Sequence, residues 1–224
     1  MKHDRALVRG LYDAPMSGSA IERRSFEIID REAGPHQFSR PEWEVVRRMI
    51  HTTADMGIMT DIRFSPDAID SAVGALRSGK PLYVDSHMIR SGLSLDRLRA
   101  VCPDYGPERV VCHVADEDVS ADARAQNLPR SLFAVRKARP ILDRGIAVFG
   151  NAPAALLELN RMIIEEDLRP AVVIGMPVGF VHVVESKQEL MTTGAPHVIL
   201  TGRRGGSPLA VSVIHALCTV AQWQ

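Results

Sequence analysis

The chain reads as an α/β protein: three layers, built on a doubly wound, mainly parallel five-stranded sheet, with helices added at its N-terminal end. Three observations predict this class. Five short apolar runs, at residues 81–84, 109–114, 145–149, 171–174 and 197–200, are separated by stretches of helical periodicity. The run 171–174 is continuously apolar rather than alternating, as expected of a strand covered on both faces. This clearest of the five, Ala171, Val172, Val173 and Ile174, stops at Gly175 and Pro177, since Pro cannot donate to a ladder and Gly accepts the turn that follows.

Residues 1–24 are mixed in character, carry Pro15 and a Ser-Gly-Ser run, and read as a mobile arm leading into Ser25. Ser39 and Glu42 then form a capping-box pattern with Pro41 in the first turn. A helix is predicted from there to about Met56, with Trp43, Val46, Met49, Ile50 and Thr53 on one face. A second helix follows Ser65 and Pro66, with Ile69, Val73 and Leu76 inward, ending near Gly79. Further helices are predicted over 131–143, 153–166, 181–191 and 208–220, the last with Ser207 as its N-cap. No repeat or low-complexity tract divides the 224 residues, so one domain is expected, flavodoxin-like in strand number.

Composition narrows the function. Lys plus Arg and Asp plus Glu stand at 27 each, and aromatic residues are only 5%, which disfavours a nucleic-acid partner. The start MKHDRALVRG lacks the apolar core of a signal peptide, and no apolar run reaches membrane-spanning length; a cytoplasmic protein without membrane contact is expected. Cys102, Cys112 and Cys218 show no CxxC spacing, so neither a disulfide framework nor a structural zinc is predicted. The absence of GxSxG leaves a nucleophilic hydrolase without support.

If the sheet is parallel, the residues just past each strand gather on one rim: Asp85 and His87, the Asp116–Asp118 loop, Gly150 and Asn151, Gly175 and Met176, and 202–207. On that rim GRRGGS (202–207) combines glycines, a helix start and two guanidiniums, which suits an anion, or else is a tight turn with two solvated arginines. Arg130 before Ser131 sits at another helix start and either binds an anion or covers the loop. The carboxylates of Asp116, Glu117 and Asp118 lack the spacing of a calcium loop, so no metal is assigned to them. His51, away from the apolar stripe of its helix and beside Glu44, Arg47 and Asp55, is either a solvated histidine paired with Asp55 or a proton donor working near neutral pH.

Several of these segments, taken in order, resemble the precorrin-8x methylmutase family of cobalamin biosynthesis, including its cobalt-precorrin-8 branch. They are RSFEII (24–29), RMIHT (48–52), VDSHMIRSGL (84–93), FGNAPAAL (149–156), GMPVGFVHVVESK (175–187) and GRRGGS. The resemblance implies an isomerase that moves a methyl group between adjacent carbons of the macrocycle by a 1,5-sigmatropic shift, converting precorrin-8x to hydrogenobyrinic acid. It implies no cofactor and no metal, a homodimer that contacts a corrinoid tetrapyrrole from both subunits, and a histidine at His51 as general acid. Its substrate is a broad apolar ring fringed by carboxylates. Met176, Val178, Phe180 and Ala152 are therefore expected to line a slot, with Ser25, Asp85, Arg130, Asn151, Lys187 and Arg203 as further binding residues. The chain departs from the family pattern at Pro129-Arg130-Ser131, where Thr-Arg-Ser is usual, and at Ile214-His215, where a small residue and Asn are usual. Two other readings of the same residues are a non-catalytic tetrapyrrole carrier that kept the pocket, and a nucleotide-binding module, which lacks a recognisable phosphate loop.

Overall fold

A computed structural model of the chain describes residues 6–223; the first five residues of the expected arm lie outside the described residues. Its contacts fall into two compact units, the first ending at Gln37 and the second beginning at Phe38. The first unit holds helices α1 (Arg9–Asp13) and α2 (Gly18–Ala33). The Ser-Gly-Ser run is thus the start of a helix rather than part of an irregular arm: the Ser17 hydroxyl accepts from the Ala20 amide at 3.2 Å, satisfying one of the first unpaired amides. Gly34, at φ 62°, ends α2 in a backbone region open to glycine.

The second unit opens with α3 (Arg40–Thr53), α4 (Ile58–Asp61), β1 (Ile62–Phe64) and α5 (Ala68–Arg77). Next come β2 (Leu82–Val84), α6 (His87–Gly92), α7 (Leu95–Arg99) and β3 (Val110–Val111). Helices α8 (Glu117–Gln126), α9 (Arg130–Lys137) and α10 (Arg139–Leu142) lead into β4 (Ile146–Phe149) and α11 (Pro153–Glu166). The chain closes with β5 (Val172–Gly175), α12 (Val183–Thr192), β6 (His197–Leu200) and α13 (Ser207–Val220).

Among the described residues six strands form one sheet in the order β1-β6-β5-β4-β2-β3. The five predicted strands are all present and run parallel. Numbered among themselves they lie in the order 2-1-3-4-5, a doubly wound arrangement whose switch point falls between β2 and β4. The sequence reading missed β1, which pairs antiparallel with β6 from Ile62 opposite Leu200 to Phe64 opposite Val198. Three residues are too few to show a period, and their partner lies far along the chain.

Tyr83, Ala147, Phe149, Val173 and Ile199 project to one face of the sheet, into a core closed by Leu142, Leu156, Leu159, Met162 and Leu190. The alternate residues Leu82, Val84, Val148, Ile174 and Val198 are equally buried on the other face, where α5, α6 and α13 pack. Burying both faces, at about 1.5–3 kcal/mol for each large aliphatic side chain, explains why the strands read as unbroken apolar runs.

Helical details differ from expectation at α5, α13 and α8. In α5 the buried face is Ala68, Ala72, Ala75 and Leu76, while Ile69 and Val73 are half-buried: the helix turns small residues toward the sheet so that it can approach closely. The N-cap of α13 is Gly206, at φ 126°, and Ser207 is the first helical residue. The acidic loop is the start of α8, where Glu117 and Asp118 occupy the first turn and suit the positive end of the helix dipole.

Candidate functional site

The rim beyond the strands is built around the switch point. Asp85 directly follows β2 and is 1% exposed. Its Oδ1 accepts from the Gly150 amide at 3.0 Å, and its Oδ2 accepts from the amides of Asn151 at 2.9 Å and Ala152 at 2.7 Å. Burial raises its pKa, and the three amides oppose that rise by favouring the carboxylate. The carboxylate is therefore engaged in holding the loop after β4, leaving the Asn151 side chain exposed and Ala152 half-buried at the rim. Glycine is required at 150, because a Cβ there would lie 2.9 Å from Ser207 Cα. The neighbouring hydroxyls of Ser86 and Ser207 meet at 3.0 Å and tie α13 to the end of β2.

The loops after β5 and β6 interlock. The Gly206 amide donates to the Met176 carbonyl at 2.8 Å, and the Gly179 amide to the Arg203 carbonyl at 3.3 Å. A Cβ on Gly205 would sit 2.3 Å from the Met176 oxygen and 2.4 Å from that of Pro177, so no other residue fits without moving backbone. Met176 is fully buried, whereas Val178, Phe180 and Val181 are 44%, 83% and 71% exposed. The Arg203 guanidinium lies 5.3 Å from the Phe180 ring centroid, leaving a cation over an exposed aromatic face.

Lys187, on α12, is 1% exposed and donates from Nζ to the carbonyls of Gly202 at 3.0 Å and Arg204 at 2.7 Å. Burial, with the nearby Arg204 guanidinium adding to it, pulls its pKa down to about 8. Like Asp85, it fixes a loop with its charged end turned inward.

His51 lies in the last turn of α3 and is exposed. The helix stops at Thr53 instead of Met56, because Ala54 takes the left-handed conformation at φ 55°. Asp55 is therefore off the helix and not a helical partner one turn beyond His51. Its Oδ1 accepts from the Gly57 amide at 2.8 Å, and its Oδ2 accepts from Arg204. Arg204 also donates to Asp61 and, at 3.1 Å, to the Gly57 carbonyl. Of the two guanidiniums expected to face an anion, this one is committed to the protein itself. Glu44, expected beside His51 at the surface, is 4% exposed and paired with Arg47 and Arg48. A groove of about 340 Å³ opens beside this turn, lined by Arg48, Thr52, Met88, Val211 and His215. His215, one of the departures from the family pattern, accepts through Nε2 from the Ser94 amide at 3.0 Å and so anchors the start of α7.

The fold thus brings Asp85, Asn151, Ala152, Met176, Val178, Phe180 and Arg203 to connected loops, with Lys187 bonded to them from α12, and joins the turn after His51 to them through Arg204. Arg130, the first residue of α9, is exposed and lines a separate recess with Arg124, Leu128 and Pro129. Ser25 belongs to α2 in the first unit, where its hydroxyl donates to the Ile21 carbonyl at 3.0 Å. Of the acidic residues at the start of α8, Asp116 and Asp118 are ion-paired: Lys137 reaches both at 2.7 Å, and His113 Nδ1 lies 2.8 Å from Asp116. Sequence reasoning missed the roles of Arg204 and Asp61, since nothing in their spacing announces a contact across 143 positions.

Comparison with known proteins identifies the family. Residues 20–220 match the family described as precorrin-8X methylmutase. A cobalt-precorrin-8 methylmutase of Leptospira interrogans is 44% identical over 209 residues, covering 89% of this chain and 92% of that protein. A precorrin-8X methylmutase of Pseudomonas aeruginosa is 36% identical over 211 residues, covering 93% and 99%. Among solved structures, that of precorrin-8x methyl mutase from Thermus thermophilus matches with a TM-score of 0.83 and 45% identity, over 91% of this chain and 96% of that one. With a family match along most of its length and relatives alike over nearly their whole chains, the protein belongs to the precorrin-8X methylmutase family.

Proposed function

We propose that this protein is an isomerase of cobalamin biosynthesis that moves a methyl group intramolecularly on a corrin precursor, with His51 as general acid. The substrate is precorrin-8x, giving hydrogenobyrinic acid, or the cobalt form, giving cobyrinic acid. The observation that carries the assignment of the acid is the placement of His51: an exposed imidazole at the end of α3, just before a turn joined by Arg204 to the loops that form the rim. An imidazole has the intrinsic pKa to give a proton to the ring and recover it within one turnover. Because the methyl group leaves and arrives on the same molecule, the reaction needs no nucleophile; protonation and electrostatic support suffice.

The rim suits such a substrate. Val178 and Phe180 offer apolar area for the ring face, with Ala152 and Met176 behind them. Arg203 and the Asn151 amide side chain supply donors for the fringe of carboxylates. In this reading Asp85 and Lys187 act on the substrate through the loops they hold, and Arg130 contributes from its own recess. The exposed run Val178, Phe180 and Val181 is unusual for surface in contact with water, and supports a homodimer whose ring site is completed by a partner subunit.

His51→Ala tests the chemistry. With precorrin-8x as substrate, the visible spectrum should show ring bound but unconverted, with turnover lowered about 10²–10⁴-fold, as for loss of a general acid. Full turnover in that variant overturns the role of His51. A wild-type protein that binds the ring and leaves it unchanged would instead mark a carrier.

A further inference from the structure

We propose that Arg204 is a positioning residue for proton delivery: its guanidinium clamps the turn after His51 to the rim loop, and turnover depends on that clamp. This rests on the reading of His51 as the acid.

The contacts are specific to the two segments involved. Arg204 Nη1 donates to Asp55 Oδ2, and Nη2 to Asp61 Oδ2 and the Gly57 carbonyl, so three groups in the connection from α3 to β1 converge on one side chain. The main chain of the same residue is fixed from the opposite side, where Lys187 Nζ donates to its carbonyl at 2.7 Å. The connection itself is braced at both ends. The Ala54 amide donates to the Ile50 carbonyl at 2.7 Å, and the Asp61 carbonyl accepts from the amide and hydroxyl of Thr201 at 2.9 and 2.8 Å. The approach is close as well as polar: a Cβ on Gly57 would lie 3.2 Å from Arg204 Nη1 and 3.0 Å from Asp55 Oδ1. Glycine at 57 and glycine at 205 flank the clamp on its two sides.

Two considerations separate this role from substrate binding and from plain stabilisation. A guanidinium already shared by two carboxylates and a carbonyl has little left for a substrate carboxylate, unlike its neighbour Arg203, which lies over the Phe180 ring. The Arg204, Asp55 and Asp61 side chains are 40%, 42% and 37% exposed, so solvent screens the ion pairs and their share of global stability is small. Geometry is far more demanding, since a displacement of about 1 Å at a catalytic group can lower a rate about 100-fold. Loss of the clamp should therefore be felt in turnover well before it is felt in folding.

The test compares Arg204→Met, Arg204→Lys, His51→Ala and the double variant Arg204→Met with His51→Ala, using precorrin-8x and the visible spectrum. Arg204→Met is expected to unfold at nearly the wild-type temperature and to keep KM within about threefold, while kcat falls about 10–100-fold. Arg204→Lys, which restores a point charge but not the fork, should recover part of kcat, and serves as the reporter if the methionine variant does not fold. In the His51→Ala background Arg204→Met should cost nothing more, because the group it positions is gone. Full kcat in Arg204→Met beside an inactive His51→Ala overturns the clamp alone. A raised KM with unchanged kcat, or losses that multiply in the double variant, also overturns it. Full turnover in His51→Ala overturns both the clamp and the acid.

Discussion

Lys187 is a long cationic side chain almost wholly removed from water, and its low pKa makes it a reporter of folding. Its ammonium titrates at about 8, against an ordinary 10.5, because burial and the Arg204 guanidinium disfavour the charge. The folded protein thus releases this proton before the unfolded chain does. Between about pH 8 and pH 10.5 the unfolded chain binds more protons, so the contribution of Lys187 to stability rises through that window and is flat below it. Urea unfolding at about pH 7.5 and about pH 10 should show the wild type gaining relative to Lys187→Met; a constant difference would contradict the shift. Residues such as this one were legible in kind but not in role. Asp85 and Lys187 stand in motifs that mark the family, yet whether a carboxylate or an ammonium faces a ligand or turns inward depends on burial, which spacing does not encode. His51 was placed correctly at the surface of its helix, whereas Asp55 was not its helical partner, because the helix ended sooner.

Helix starts with strong local signals were legible to within a residue or two, and that of α3 shows why. Ser39 accepts from the Glu42 amide at 3.4 Å while Glu42 accepts from the Ser39 amide at 2.8 Å, a reciprocal pairing written wholly in four adjacent residues. Ser39→Ala should lower the unfolding free energy by about 1 kcal/mol in a denaturant titration without changing the far-ultraviolet signature of the native state. An unchanged midpoint would mean the cap contributes nothing. Where the signal is not local, the reading failed. The end of α3 depends on a left-handed Ala54 and on Asp55 being drawn to Gly57 and Arg204, and the short strand β1 depends on a partner near the end of the chain. The inward face of α5 was read correctly only at Leu76, because the rest of its buried face is made by alanines, which periodicity built on large aliphatic residues passes over. The start of α8 read as an acidic loop because its carboxylates look solvated until Lys137 and His113 are brought to them.

At the scale of the whole molecule the five parallel strands were legible as apolar runs, but their order was not, since any run of this kind fits any central position in a sheet. The observed order sets the switch point between β2 and β4, and with it the meeting of Asp85 and the Gly150–Ala152 backbone. The proposed homodimer belongs to this scale too. Light scattering at micromolar protein should give about twice the chain mass of 24.6 kDa, and a single-chain mass would overturn it. The interlocked loops after β5 and β6 also bear on how such an enzyme can change. Gly205 leaves no space against the Met176 and Pro177 carbonyls, and Gly206 is bonded to one of them, so each loop is the mould of the other. Segments 176–180 and 202–206 are therefore a single heritable unit: a transplant between relatives, or a drift toward a different macrocycle, has to carry both together.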